Sequence, residues 1–386
     1  MHRRAFLQAV ATWAGLQVIA FPVVAARAAP RRALILIELK GGNDDLYSFP
    51  LVSDPVCAKL RPTLDVPARN ILLMDARRGL HPNLAPLMDC WNAGELALVQ
   101  GLSAGPLEYS HFASGQRWET GTVDRPSERL GWIARAWKEG GVEPLPGRFD
   151  ATVLGFNPGS LIGGNLRLLE IDSAEMIGAA PELGGATAPS GNPTLDHLRR
   201  VAFDWGATQH VLAEAGRRMP APALAFNRHY TGKALLGAAA LLHSETPPAI
   251  VKLTVGGFDT HVAQQDRQHK IWRPFAENLL AFRSVLQQSG LWGRTTLATY
   301  SEFGRRVAEN GGGTDHGGAS TQLLLGGAVR GGLYGDSPDL SDLDGGNVRG
   351  TLDFRRYYNS LWSEVLALPT VAFDPARYSP LGLIRR

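Results

Sequence analysis

The chain has 386 residues, of which 39 are Lys or Arg and 36 are Asp or Glu. Its first 28 residues hold three arginines and no acid, so removing them leaves 36 basic and 36 acidic residues. A neutral chain of this length can bury a large core, and its bulk charge indicates no nucleic-acid or membrane-surface partner. The two cysteines, Cys57 and Cys90, could pair in an oxidising compartment, and the sequence leaves that pairing open.

Residues 1–28 have the pattern of an export signal. Arg3-Arg4 is followed by Phe6-Leu7, no charge occurs from Ala5 to Ala26, and Ala26-Arg27-Ala28 offers small residues for cleavage. We predict a twin-arginine signal peptide, which sends the folded protein through the twin-arginine translocase to the periplasm or medium. An uncleaved membrane anchor is the alternative, but two glutamines and a proline in the run favour cleavage and argue against stable membrane insertion.

Short apolar runs, interpreted as strands, recur along the mature chain. Strands are predicted at 33–39, 95–100, 151–154, 166–171, 250–255, 295–300 and 321–325. Helices are predicted at about 110–120, 194–243, 264–288 and 357–365. Strands that alternate with helices predict an α/β domain with a largely parallel sheet. We expect one such domain over 29–386, with a mostly helical insertion around 172–246.

Polar residues follow four of these strands. The residues in question are Asn43 and Asp44, Ser110 and His111, Asp259 and His261, and Glu302 with Asp315 and His316 soon after. Each group alone is equally well explained as a polar turn. Because parallel strands present their carboxyl ends on one side of a sheet, we expect these groups to form one site.

The residue types indicate metal and anion chemistry. Carboxylates and imidazoles together are ligands that divalent metals accept. Ser110 stands where a helix would begin, a position that suits a nucleophile receiving phosphate or sulfate and equally suits a simple N-cap. Arg305 and Arg306 add guanidinium groups that can grip an anion in bidentate fashion.

Eight short motifs, taken together, resemble an exported bacterial family known as domain of unknown function 1501. They are Arg-Arg-x-Phe-Leu at the start, Gly-Gly-Asn-Asp (41–44), Leu-Arg-Pro-Thr-Leu (60–64), Leu-His-Pro (80–82), Ser-His-Phe (110–112), Gly-Phe-Asp-Thr-His (257–261), Ser-Glu-Phe-Gly-Arg (301–305) and Thr-Asp-His-Gly (314–317). That family is similar in turn to the alkaline phosphatase–sulfatase superfamily. The resemblance implies an alkaline phosphatase-like three-layer α/β/α sandwich with a largely parallel central sheet and helical insertions.

The resemblance also assigns roles to residues. It implies metal ligands at Asp44, Asp259, His261, Glu302, Asp315 and His316. Ser110 would be the nucleophile, and Asn43 or Arg305 would hold the anion. We also predict His111 and Arg305 as catalytic residues and Arg306 as a substrate-binding residue. The expected cofactor is a divalent metal, with zinc favoured and calcium, manganese or magnesium left open.

Two departures from the related patterns stand out. The family usually has glycine after the first aspartate, where this chain has Asp45, so the acid that faces the metal is left open. Sulfatases with a modified Cys or Ser need x-Pro-x-Arg after that residue. Neither Cys57, followed by Ala-Lys-Leu-Arg, nor Cys90, followed by Trp-Asn-Ala-Gly, has that pattern, which argues against a formylglycine sulfatase.

The sequence therefore predicts an exported, metal-dependent hydrolase of phosphate or sulfate esters, acting on a small anionic ester or glycan. The alternative is a non-catalytic exported binding or assembly protein, with a structural metal on a hydrolase-like fold, because fold alone does not determine function.

Overall fold

The structure is a computed structural model that describes residues 32–125, 127–142, 149–171, 191–196, 213–368 and 372–385. The predicted signal peptide lies outside the described residues. So do residues 172–190 and 197–212, which make up much of the predicted insertion.

Fifteen strands occur in the described part of the chain. They are β1 (Ala33–Leu39), β2 (Leu72–Leu73), β3 (Gly79–Leu80), β4 (Leu96–Ser103), β5 (Ala151–Leu154), β6 (Leu168–Ile171), β7 (Ile250–Val255), β8 (Thr295–Tyr300), β9 (Arg305–Glu309), β10 (Thr314–His316), β11 (Ser320–Gly326), β12 (Gly332–Tyr334), β13 (Leu343–Asp344), β14 (Asn347–Val348) and β15 (Leu352–Asp353). Nine of them form one sheet in the order β12-β4-β11-β8-β1-β7-β5-β6, with β15 beside β4. The short strands β2 and β3, β9 and β10, and β13 and β14 pair separately.

The central sheet is largely parallel. β1 pairs in parallel with β7 and β8, and β5 pairs in parallel with β7 and β6. β11 is antiparallel to both β4 and β8, so β4 runs in the same direction as β8. The carboxyl ends of β1, β4, β7 and β8 therefore lie along one edge of the sheet.

Eight α-helices lie entirely within the described residues. They are α1 (Asp45–Ser48), α2 (Pro55–Leu60), α3 (Met88–Asn92), α4 (His111–Thr120), α5 (Trp132–Glu139), α6 (Tyr230–Leu242), α7 (Gln264–Gln288) and α8 (Phe354–Asn359), and α8 continues as a π-helix over Ser360–Val365. Short 3-10 turns occur at Ala68–Asn70, Pro82–Leu87, Gly159–Leu161 and Trp292–Arg294. Among the described residues, no helix combines the length and the apolarity needed to cross a bilayer.

Helices cover both faces of the sheet. All seven residues of β1 are buried, because successive side chains of the strand point into two different cores. Ile35 lies in one core with Trp272 of α7, and Leu36 lies in the other with Trp132 of α5 and Tyr358 of α8. Burying each such large side chain contributes about 1.5–3 kcal/mol. The predicted α/β fold class, with its largely parallel sheet between helical layers, is confirmed.

Several predicted elements appear with the same bounds. β1, β5, β7, β8 and α7 match their predicted ranges. The prediction that residues 194–243 are helical is wrong in part. Residues 213–218 are helical and α6 begins at Tyr230, but residues 219–229 between them are irregular. Pro220 and Pro222 lie in this gap, and proline cannot continue a helix because it lacks the backbone N–H.

The two cysteines do not form a disulfide. Cys57 and Cys90 are both free and buried, and they lie in different hydrophobic clusters. Burial raises the pKa of each thiol to about 12, so neither is a reactive thiolate at neutral pH.

Candidate metal centre

The loop after β7 carries Asp259 and His261 across the carboxyl edge of the sheet. It lies directly against the end of β1, where Gly41 has a φ of +114°. A Cβ atom on Gly41 would collide with the backbone of Phe258 and Asp259. Only glycine, with no side chain and free access to positive φ, permits this approach of the two strand ends.

A small hairpin brings in His316. β9 and β10 pair antiparallel, and the register sets His316 opposite Arg305. The Arg305 guanidinium is buried and donates to the carbonyl oxygens of Gly42 and Thr314 at 2.8 Å. It also donates to Oδ1 of Asp259 at 2.7 Å. Arg305 thus joins the hairpin, the end of β1 and the Asp259 loop.

The third contribution comes from the start of α4. Ser110 is its N-cap, so His111 is the first helical residue. Nδ1 of His111 lies 2.9 Å from Oε1 of Glu302, which follows β8. Nε2 of His111 lies 3.5 Å from Oδ2 of Asp259. His111 therefore spans the distance between Glu302 and Asp259.

Two histidine nitrogens and one carboxylate oxygen form a nearly equilateral triangle. Nε2 of His261 lies 3.1 Å from Nε2 of His316 and 3.0 Å from Oδ1 of Asp259, and Nε2 of His316 lies 3.1 Å from the same oxygen. Four ligands at 2.0–2.1 Å around a tetrahedral zinc ion are about 3.3 Å apart. The triangle is therefore close in size to one face of a zinc coordination tetrahedron.

The hydrogen bonds of the three imidazoles determine which nitrogen faces the centre. Nδ1 of His111 lies 2.9 Å from Oε1 of Glu302, and Nδ1 of His261 lies 3.1 Å from Oδ1 of Asp315. Nδ1 of His316 lies 2.6 Å from the backbone carbonyl oxygen of Tyr109. Carbonyl and carboxylate oxygens only accept, so in the neutral rings Nδ1 carries the hydrogen and Nε2 keeps its lone pair. All three lone pairs converge on the Asp259 carboxylate.

This donor set fits a divalent metal. Ligand atoms of His111, Asp259 and His316 lie within 4.8 Å of one another, and His261 adds Nε2 at the distances above. Metal-binding histidines usually donate their second N–H to a carboxylate or a carbonyl, which fixes ring and tautomer. Each histidine here has such a partner. Three imidazoles and one carboxylate are ligands that suit zinc.

The charges around Asp259 keep it ionised. Burial alone would raise its pKa, but the hydrogen bond and the positive charge of Arg305, together with His316 and His261 when their rings are protonated, lower the pKa to about 2. At His111 the hydrogen bond to Glu302 raises the pKa above its ordinary value, against the effect of burial. The centre therefore favours a positive charge near Asp259.

Two of the predicted metal ligands lie behind the histidines. Oε1 of Glu302 accepts from His111 and from the backbone N–H of Gly41. Oδ1 of Asp315 accepts from Asn310 at 2.7 Å and lies 3.1 Å from Nδ1 of His261. In this structure both carboxylates hold histidine rings in place.

The predicted residues after β1 lie apart from the centre. The buried Asp44 carboxylate forms a 2.7 Å ion pair with Arg61 and caps α1. Asn43 is also buried; its N–H donates to Ser301 and its side-chain oxygen accepts from Ser48.

The additional acid after Asp44 also turns away from the centre. Asp45 pairs with Arg78 and accepts from Thr321, while burial raises its pKa. Neither Asp44 nor Asp45 therefore faces the three histidines.

Ser110 and Arg306 lie at the edge of the centre. The exposed Ser110 hydroxyl accepts from the N–H of Ala113 at 3.4 Å, a long capping bond. The Arg306 guanidinium lies over the Tyr109 ring, 5.5 Å from its centroid. The carbonyl of Tyr109 is the acceptor that anchors His316.

The sequence predicts His111 as a catalytic residue, and the structure places its Nε2 among the donor atoms of the candidate metal centre. The signal was available in part, because His111 follows β4 in the chain as His261 follows β7. Its anchor Glu302 is 191 residues away along the chain, and nothing in the spacing relates the two.

The geometry thus defines an α/β protein with a candidate three-histidine, one-carboxylate metal centre at the carboxyl edge of its sheet. The model of the family described as "Protein of unknown function (DUF1501)" matches residues 202–353. This match includes Asp259, His261, Glu302, Asp315 and His316 and confirms the resemblance to that family. A comparison with curated proteins gave no match.

Solved structures of low sequence identity align with the chain. A phosphonate monoester hydrolase of Agrobacterium radiobacter is 12% identical over 88% of this chain and 74% of its own, with a TM-score of 0.40. A protein in the alkaline phosphatase superfamily from Vibrio parahaemolyticus is 12% identical over 80% of this chain and 64% of its own, with a TM-score of 0.35. The soluble domain of lipooligosaccharide phosphoethanolamine transferase A from Neisseria meningitidis is 9% identical over 93% and 96%, with a TM-score of 0.36.

Proposed function

We propose that the protein is an exported metal-dependent hydrolase of phosphate or sulfate esters. The observation that carries this proposal is the convergence of three Nε2 lone pairs on the Asp259 carboxylate. Without a cation, four acceptor groups at these distances repel one another, and the Nε2 atoms of His261 and His316 face each other at 3.1 Å. A divalent ion, most favourably zinc, removes this repulsion.

Four residues are the proposed ligands, namely His111, Asp259, His261 and His316. A bound ion would supply positive charge that holds the ester oxygens and favours ionisation of the attacking group. The chain's own part is orientation. Glu302, Asp315 and the Tyr109 carbonyl each hold one imidazole, and such partners matter because their loss typically costs about 10–100-fold in metal affinity.

The two arginines have different proposed roles. Every nitrogen of the buried Arg305 guanidinium donates to the chain itself, so Arg305 positions Asp259. The guanidinium of Arg306 lies over the Tyr109 ring, and Arg306 is the residue that we propose binds the ester anion.

Ser110 is the proposed nucleophile. Its hydroxyl is exposed, and the residue directly precedes His111, a proposed ligand. The first N–H groups of α4 lie beside the hydroxyl. A helix N-terminus stabilises the negative charge of a bound phosphate or sulfate group. The same position also suits a serine that only caps the helix, and the exchange of Ser110 described below separates the two roles.

Metal analysis followed by an ester panel tests the proposal. The purified mature protein should contain at least one divalent ion per chain, and it should hydrolyse phosphate or sulfate monoesters or diesters. Stoichiometric metal without turnover of any ester would favour the alternative, a non-catalytic binding or assembly protein with a structural metal. Absence of metal, with no thermal shift on adding zinc, calcium, manganese or magnesium, would remove the basis for both.

A further inference from the structure

Four exposed apolar side chains belong to the backbone segments that form the candidate metal centre. Leu107 is 38% exposed, Tyr109 39%, Val262 55% and Phe112 91%. These four residues are called the apolar rim below. They make up four of the eleven large hydrophobic side chains that are exposed in the described part of the chain. Single exposed hydrophobic residues are ordinary, but four of them on the segments that present one polar site indicate a binding surface.

Three rim residues are connected to the metal centre through the backbone. Phe112 directly follows His111, Val262 directly follows His261, and the carbonyl of Tyr109 lies 2.6 Å from Nδ1 of His316. Leu107 lines a cleft together with Glu302 and Phe303. The rim therefore continues outward from the same backbone segments that present the proposed ligands.

The fold makes almost no use of the Phe112 side chain. At 91% exposure, the Phe112 ring contributes almost no burial to the core. Phenylalanine also has no polar group that could bind water, so a molecule that covers the ring gains apolar contact there. The positively charged Arg306 lies over Tyr109 of the rim. An anion-binding group and an apolar surface thus occur side by side.

We propose that the apolar rim binds the organic group of the ester whose anionic group is held at the metal centre. The substrate class is then an anionic ester with an apolar organic group, either aryl or alkyl, rather than a sugar or glycerol ester. This inference rests on the proposed function, because the rim can contact the organic group only when the anion is bound at the metal centre.

Phosphonates test the inference without turnover. Methylphosphonate, phenylphosphonate and octylphosphonate carry the same anionic group on a small, an aryl and an alkyl substituent. Calorimetric titration of the zinc-loaded protein should show phenylphosphonate or octylphosphonate binding about five- to tenfold more tightly than methylphosphonate, as partial burial of one aromatic side chain implies. A gain with phenyl alone assigns an aryl group, and a gain with octyl alone assigns an alkyl group.

Phe112→Ser should reduce this preference to about twofold or less and leave methylphosphonate binding unchanged, because the rim makes no contact with the anion. Phe156→Ser is the matched control. Phe156 is 83% exposed and precedes Asn157, which bonds to Glu119 near the far end of α4. The control should keep the full preference. If Phe112→Ser fails to fold in thermal unfolding, Val262→Thr, which keeps the side-chain shape, should lower the preference in the same direction.

The outcomes separate this inference from the proposed function. Methylphosphonate that binds as tightly as the apolar phosphonates overturns the rim assignment and leaves the proposed function standing. Failure of all three to bind counts against both. If Phe112→Ser abolishes sedimentation with phosphatidylglycerol vesicles while the phosphonate preference persists, the rim is a membrane-contact surface and the inference is wrong. An equal loss in the Phe156→Ser control also overturns it.

Discussion

Oε1 of Glu302 lies 2.9 Å from Nδ1 of His111 and 2.9 Å from the backbone nitrogen of Gly41. This carboxylate is 5% exposed, and its contacts connect the end of β8 with the end of β1 and the start of α4. Glu302 thus contacts the candidate centre through His111. This arrangement differs from direct ligation, which the resemblance implies, and the two roles can be separated by experiment.

Glu302→Gln should weaken metal binding about tenfold, and Glu302→Ala by about a hundredfold, because the amide can still accept from His111 whereas alanine cannot. In a His111→Ala background, Glu302→Gln should change the affinity very little, since the ring that it holds has gone. Metal titration of the single and double variants measures both effects. Full additivity of the two substitutions would indicate that Glu302 ligates the metal independently.

The strands that form the centre could be predicted from the sequence, and the roles of the acids could not. β1, β7 and β8 are short runs rich in apolar and β-branched residues, a pattern that favours burial on both faces of a parallel sheet, where the carboxyl ends lie together. A carboxylate in contact with a histidine can be its anchor or its fellow ligand. The two roles differ in which atom of the carboxylate or the imidazole faces the metal position. The spacing of residues along the chain does not reveal this.

Asp44 is a second acid whose contacts could not be predicted from the sequence. Its position after a Gly-Gly turn at a strand end is typical of a ligand, and no local feature reveals its partner. The partner is Arg61, at 2.7 Å, and both side chains are buried. A buried charge needs a counter-charge, and the pairing arises from a tertiary contact between residues 17 positions apart.

His261→Ala and His316→Ala should each lower metal affinity by at least about tenfold to a hundredfold, because first ligands matter at least as much as their partners. The double variant should lose less than the sum, since little binding remains for the second substitution to remove. His269→Ala is the control, because Nδ1 of His269 lies 2.8 Å from Asn83, away from the centre. Near-native affinity in both single variants would contradict the metal centre.

Exchange of Ser110 tests the proposed nucleophile. Ser110→Ala should abolish ester turnover while metal content stays unchanged. Ser110→Asn keeps an N-cap and removes the hydroxyl, so it should be as inactive as alanine and more stable. Because the capping bond is 3.4 Å long, the stability cost of alanine should not exceed about 1 kcal/mol. Activity retained in folded Ser110→Ala would point to an attacking water instead.

We expect export to depend on the twin arginines of the predicted signal peptide. Changing Arg3-Arg4 to Lys-Lys should leave unprocessed precursor in the cytoplasm, because the translocase reads the arginine pair. The same exchange at Arg31-Arg32, beyond the predicted cleavage site, is the control and should export normally. Cell fractionation with immunoblotting of precursor and mature forms makes the comparison. Normal amounts of periplasmic mature protein from the Arg3-Arg4 variant would reject this route.

The last prediction concerns Lys252, in the middle of β7. Its ammonium group is fully buried, has no hydrogen-bond partner among the described residues, and lies 5.6 Å from the centroid of the Tyr300 ring. Burial lowers the pKa of Lys252 below its ordinary value of 10.5, although Glu38 and Glu119 oppose that shift. An unpaired charge in a low-dielectric interior destabilises the folded state.

Lys252→Met, which keeps the length and removes the charge, should therefore raise the free energy of unfolding at pH 7 by about 1–2 kcal/mol. Since the folded pKa is lowered, the unfolded chain binds more protons between that pKa and 10.5, so the wild type gains stability as pH rises through this window. The advantage of methionine should then shrink between pH 7 and pH 10. Urea unfolding of both proteins at both pH values measures this difference in the free energy of unfolding. Lys40→Met is the control at an exposed position and should change that free energy by less than about 0.5 kcal/mol. A destabilised Lys252→Met protein at pH 7 would show that the ammonium has a stabilising role in the fold.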